Sequence, residues 1–302
     1  MQGRRERFKM NDFIEYLSKE RHKAENTQIA YKRDIEHFAK FLDENRNGKT
    51  LRQCSDSDAI AYSFELGRQN KSKSTINRKV SALRTYYEFL IQRGEIQDNP
   101  FREIKAVKGD NRQIEYLTIE EVERLIESTD DSKKGIRDRA LMEFMYGTGA
   151  RVTEVVRLQF ADVNLRMSFV TLKDVNDESR IVPLGSYARA AMTKYIEEVW
   201  PEMRGREPTD DDFVFINFRG DVLTRQGIWK ILKDYGARIH LETPMTPQIL
   251  RDSFAVHILQ NGGDLKTLQE LMGFEDMSVG IAYLAVTDIH VRDVFKKTHP
   301  RA

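Results

Sequence analysis

At 302 residues the chain is about twice a typical domain, so two domains are the natural expectation. Hydrophobic residues make up 40%, enough for a core, yet no apolar run approaches the roughly 18–20 residues that span a membrane. The basic N-terminus, MQGRRERFKM, is not followed by the apolar stretch of a secretion signal. A single cysteine, Cys54, excludes an internal disulfide and cannot build a cysteine metal site alone, so a reducing cytoplasm is the default. Net charge is only +1, but residues 68–112 hold eleven Lys/Arg against five Asp/Glu, which leaves the remainder of the chain acidic. A local basic stripe is a better footprint of a polyanionic partner than overall charge, although an ordinary solvated surface has the same composition.

In chain order, Asn11–Lys19 carries Phe13, Ile14 and Leu17 at helical spacing. Thr27 is placed to cap a second helix that turns Ile29, Tyr31, Ile35, Phe38, Phe41 and Leu42 toward a core. A third helix covers about Asp56–Gln69. A fourth runs over Ser74–Arg93, with Ile76, Val80, Leu83, Tyr87 and Leu90 on one side and Gly94 as a stop. Tyr86 and Tyr87 read as core aromatics. Asn99-Pro100 closes this helical region, because the residue before proline avoids the helical conformation.

The polar, basic stretch around 108–113 has no periodicity and reads as a linker. Domains of 1–107 and 114–302 follow from it. Thr118-Ile-Glu-Glu121 has capping-box spacing and opens the second domain. Helices are expected there at about 119–127, 136–147, 186–199, 225–236, 247–261, 264–271, 276–284 and 288–296. Short β-like runs at Phe169–Leu172 and Arg180–Pro183 flank a polar turn and predict a hairpin. The fold class is therefore mainly α, with a small antiparallel sheet in the second domain.

Four segments of the second domain stand out in order: Gly147-Thr-Gly-Ala-Arg151-Val-Thr-Glu154-Val155, Thr246-Pro-Gln248-Ile-Leu-Arg251-Asp-Ser-Phe-Ala-Val-His257, Leu268-Gln-Glu-Leu-Met-Gly273-Phe274 and Ile281-Ala-Tyr283. They resemble the arginine boxes, the VQELLGH segment and the nucleophile segment of the tyrosine recombinases, the phage integrase and Xer family. The likeness extends to Thr27-Gln-Ile-Ala-Tyr31-Lys-Arg-Asp34 and Ser74-Thr-Ile-Asn-Arg78, and so covers nearly the whole chain. The resemblance implies a helical core-binding domain and a catalytic domain that form a C-shaped clamp on duplex DNA. It also implies a tetramer acting on two specific sites, with no metal or nucleotide cofactor. Arg151, Arg251 and Tyr283 would carry the reaction.

Physical chemistry supports those residue types. A phosphodiester is anionic, and charge spreads over its oxygens in the transition state. Two arginines present planar forks of donors that stay charged, and preorganised cations aimed at developing charge are usually the largest catalytic effect. A tyrosine hydroxyl can attack phosphorus and store the bond as a phosphotyrosine. The plainer readings are ion pairing of Arg151 with Glu154 and of Arg251 with Asp252, and a core role for Tyr283.

Three departures from the family pattern bear on proton transfer. Gln248 stands where a histidine is usual and cannot exchange a proton near neutral pH. Phe274 stands where His or Trp is usual and can pack but not hydrogen-bond. The hairpin lysine position falls on Val175; Lys173, two residues away, could swing in to take that catalytic role if the hairpin is rebuilt, the plainer reading being a solvated strand-end lysine. A weakened family member that keeps DNA binding is thus an alternative to an active recombinase. A transcription regulator would not explain the ordered boxes, and a topoisomerase would use the same chemistry. Lys71, Lys73, Arg78, Lys79 and Arg84 crowd the start of the fourth helix and are the expected DNA-backbone contacts.

Overall fold

A computed structural model describes residues 2–107 and 114–287. The expected linker at 108–113 and the last expected helix, at 288–296, lie outside the described residues. The described chain is mainly α with one small antiparallel sheet, as its periodicities predict. It divides into two compact units, Met1–Arg112 and Gln113–Ala302.

The first unit is built from α1 (Gln2–Lys19), α2 (Glu25–Asn45), α3 (Asp56–Arg68) and α4 (Lys73–Gln92). Their apolar faces meet in an aromatic core. Phe38 lies 4.7 Å from Tyr62 and 5.2 Å from Phe101, centroid to centroid. Tyr86 and Tyr87 both join this core, and the Tyr87 hydroxyl donates to the Leu51 carbonyl at 2.6 Å.

Two expectations for α2 need correction. The helix starts at Glu25 rather than after Thr27, whose N–H already donates to the Ala24 carbonyl. Ile29 is 42% exposed. The buried stripe runs through Tyr31, Ile35, Phe38 and Leu42, and Ile29 stands about half a turn away from Tyr31. Ser72, not Ser74, marks the start of α4; its hydroxyl accepts from the Thr75 N–H.

The second unit opens with α5 (Ile119–Glu127), and the expected Thr118–Glu121 capping box is formed. Next come α6 (Lys133–Thr148), α7 (Val152–Arg157), β1 (Val163–Asn164), β2 (Phe169–Lys173) and β3 (Ser179–Pro183). The strands form one antiparallel sheet in sequence order, with Leu172 opposite Arg180. Helix α8 (Ser186–Lys194) runs through a π turn at Tyr195–Val199 into α9 (Trp200–Arg204). The helix outlasts its expected end because Pro201 falls in the first turn of α9, where a missing N–H is tolerated. The unit is completed by α10 (Arg225–Arg238), α11 (Pro247–Gln260), α12 (Leu265–Met272) and α13 (Met277–Leu284). Short α7 and β1 carry too few residues for a periodicity and were not expected.

Helices α6 and α11 pack on each other and are buried along most of their lengths. Their meeting point constrains one residue tightly. Gly149 caps α6 at φ +60°, and a Cβ added there would sit 2.5 Å from the Phe254 ring of α11. Gly205 has a similar φ of +77° but faces open space. Gly149→Ala is therefore expected to destabilise by about 1–3 kcal/mol more than Gly205→Ala, since only the former adds overpacking to the shared backbone strain. Urea unfolding of the two variants checks this; equal losses would mean that α6 and α11 do not meet this closely.

Candidate active site

The C-terminal end of α12 organises a cluster of arginines. The last carbonyls of a helix have no partner within it, and the helix dipole favours cations there. Three consecutive carbonyls at this end each accept from a different arginine. Leu271 takes Arg180 Nε, Met272 takes Arg251 Nη2 and Gly273 takes Arg151 Nη2, each at 2.7 Å. These side chains come from β3, α11 and the start of α7. Gly273 ends α12 with φ +61°, which turns the chain sharply toward Phe274.

Arg251 is 4% exposed, and its other terminal nitrogen donates to the Gly149 carbonyl at the end of α6. Burial first, then the nearby Arg151 charge, lower its pKa to about 10, with Glu154 and Tyr283 acting in the opposite sense. That remains far above neutral, so the guanidinium stays charged. The Arg251 guanidinium thus meets the carbonyls of Gly149 and Met272, where the plainer reading paired it with Asp252.

Arg151 precedes the first turn of α7. Its N–H and guanidinium both reach Glu154, at 2.7 and 2.9 Å. Glu154 also receives a bidentate pair from Arg180 at 2.6 and 2.9 Å. Burial acts to raise the Glu154 carboxyl, but hydrogen bonds and charge from Arg180, joined by Arg151, outweigh it and hold the pKa below the ordinary value. Arg151 keeps 38% of its side chain exposed. With Arg251 and Gln248 it lines a cleft of about 540 Å³ that Arg225 and Trp229 of α10 also border.

Tyr283 lies on α13 and is 5% exposed. Its ring stacks on Phe274 at 6.0 Å with the planes 15° apart, and the Arg251 guanidinium lies 5.8 Å from the same Phe274 ring. The Tyr283 hydroxyl donates to Asp252 Oδ1 at 2.7 Å, and Gln248 Nε2 donates to the same oxygen at 2.8 Å. Asp252 itself is 2% exposed, on α11 beside Arg251.

Of the residues singled out in sequence, Arg151, Arg251, Gln248, Phe274 and Tyr283 are thus brought together. Lys173, at the end of β2, instead pairs with Asp162 at 2.5 Å, its side chain 41% exposed. Val175 is exposed in the hairpin turn. Arg180, Glu154 and Asp252 were not picked out as site residues. Strand alternation carries a signal for Arg180, which shares the inner face of β3 with buried Val182.

The basic residues of α4 divide. Lys71, Lys73 and Arg78 are exposed. Lys79 is buried and donates to Asp34 at 2.9 Å, and Arg78 also bonds that carboxylate. Arg84 donates to the Phe101 and Ile104 carbonyls at 3.2 and 2.6 Å.

The phage integrase family profile matches residues 115–290, and that of the phage integrase N-terminal SAM-like domain matches residues 10–94. The chain belongs to the phage integrase family. Tyrosine recombinase XerD of Listeria monocytogenes is 38% identical over 294 residues, covering 97% of this chain and 99% of that one. Tyrosine recombinase XerD of Oceanobacillus iheyensis is 35% identical over 295 residues, covering 98% and 99%. The integrase fold recurs in lambda integrase bound as a dimer to a core site, with TM-score 0.71, 17% identity and 90% and 93% coverage. It recurs also in XerH recombinase bound to its difH substrate after cleavage, with TM-score 0.70, 21% identity and 90% and 78% coverage. No helix among the described residues is long and apolar enough to cross a membrane.

The lowered pKa of Glu154 has a consequence for acid stability. An unfolded glutamate takes up protons at higher pH than this folded one, so its contribution is present above the ordinary carboxylate pKa and is lost as pH falls through the folded value. Thermal unfolding of the parent and Glu154→Gln should show a clear parental advantage at pH 7 that narrows below about pH 4. An advantage that is constant down to the most acid pH would show that Glu154 is not the charge that binds the arginines.

Proposed function

We propose that this chain is a site-specific DNA recombinase that cuts and rejoins duplex DNA through a 3′-phosphotyrosine at Tyr283. The observation that carries the reading is the arginine cluster on the end of α12, set beside a tyrosine whose hydroxyl is held in a polar bond. Family membership and the tyrosine recombinase relatives agree with it. Arg151 and Arg251 hold the scissile phosphate and stabilise the charge that develops on its oxygens. Gln248, on the rim of the cleft, hydrogen-bonds a phosphate oxygen. Phe274 supports the tyrosine ring. Lys173, released from Asp162, supplies a proton to the departing 5′-oxygen. No metal or cofactor takes part in this scheme. The hydroxyl is buried in the free protein, so DNA binding must expose it to the phosphate.

Residues 1–107 act as the core-binding domain and 114–302 as the catalytic domain. On this reading Lys71, Lys73 and Arg78 contact the DNA backbone. Buried Lys79, on Asp34, and Arg84, on two carbonyls, serve by fixing α4, whereas Arg78 shares Asp34 but keeps an exposed side chain. A tetramer of this chain would join two sites in the cytoplasm.

The test is Tyr283→Phe. Removing one oxygen leaves the stack on Phe274 intact, so specific DNA binding is expected to stay within about twofold of the parent. Covalent protein–DNA adducts on nicked substrates are expected to vanish. Adducts that form equally well in the variant would refute Tyr283 as the nucleophile.

A further inference from the structure

We infer that Asp252 is the general base for Tyr283, in place of the histidine chemistry that Gln248 and Phe274 cannot supply. This rests on Tyr283 being the nucleophile. A carboxylate is acceptor-only when ionised, so the bond at 2.7 Å runs from the phenol to Asp252 Oδ1 and points the proton along the path it must leave by. Gln248 Nε2 donates to the same oxygen and fixes its position from the far side. Besides offering its second amide hydrogen to a phosphate oxygen, the glutamine thus orients the carboxylate that takes up the proton. Asp252 also neighbours Arg251 on α11, which places the base one residue from a phosphate-holding cation. The stack on Phe274 fixes the phenol ring against this pair. An aspartate that accepts the proton of an attacking hydroxyl is an arrangement that phosphoryl transfer uses elsewhere.

In the cleavage step the Tyr283 oxygen bonds to phosphorus and its proton passes to Asp252. The phosphorus–O5′ bond breaks, and the 5′-oxygen takes a proton from Lys173. Rejoining reverses each transfer: the 5′-hydroxyl attacks phosphorus, its proton returns to Lys173, and the tyrosine oxygen leaves with the proton held by Asp252. No oxidant, reductant or added group is needed.

The experiment measures cleavage by the full chain on a nicked substrate with a 5′-thio leaving group, which removes the need for a proton donor. Asp252→Asn is expected to slow this step by about 10²-fold or more, with DNA binding unchanged. Replacing Tyr283 by a polyfluorinated tyrosine, whose hydroxyl is far more acidic, is expected to shrink the difference between the parent and D252N at least tenfold. A purely structural aspartate would leave that difference unaltered. If D252N does not fold by circular dichroism, Asp252→Ser takes its place. A D252N rate equal to or above the parent's overturns the proposal and makes the bond a restraint on the free tyrosine. So does a loss that persists undiminished with the fluorinated residue. Adducts surviving in Tyr283→Phe would instead overturn the nucleophile itself, a separate failure.

Discussion

Three guanidinium groups converge on the C-terminal end of α12, and the rest of the catalytic unit can be understood from that convergence. Like charges at such distances repel, and burying them costs hydration. The molecule offsets both with partial negative charge that needs no countercharge on the surface: the carbonyls of Leu271, Met272 and Gly273, with that of Gly149 at the end of α6. Glu154 contributes the full negative charge that ties Arg151 to Arg180. The result is a cationic cluster whose geometry is set by backbone, so it does not collapse onto a flexible partner when no anion is bound.

That constraint explains why the glycines stand where they do. A helix end can offer successive carbonyls only if the chain turns away at once, and the left-handed conformation of Gly273 does this. The turn leads directly to Phe274, whose ring carries Tyr283 on its face and lies near Arg251. A single helix terminus therefore sets both the cation cluster and the platform of the tyrosine. Gly149 plays the matching part at α6, where Phe254 leaves no room for a side chain.

Much of this was legible in the sequence, for identifiable reasons. Helices with long apolar periodicity, such as α2 and α4, and the hairpin of β2 and β3 were readable because burial repeats along them. The start of α2 lies three residues earlier than expected, because Ala24 begins the helix without a side-chain cap, and that of α4 one residue earlier, because Ser72 caps it. Arg151, Arg251 and Tyr283 could be singled out because their order and neighbours form a pattern. Their contacts could not, since Arg251 binds carbonyls from α6 and α12, and nothing local to α11 announces those partners. Asp252 looked like the natural ion-pair partner of Arg251; instead it holds Tyr283 and Gln248. The basic stripe of α4 was visible as charge, but composition cannot distinguish exposed Lys71 from buried Lys79, whose partner Asp34 lies on another helix.

The most direct measurement is to locate the covalent bond itself. The full chain would be incubated with a nicked duplex that traps the cleavage intermediate, digested, and the nucleotide-bearing peptide sequenced by mass spectrometry. The nucleotide is expected on Tyr283, linked through its 3′-phosphate. A nucleotide carried by any other residue, or linked through a 5′-phosphate, would contradict that assignment.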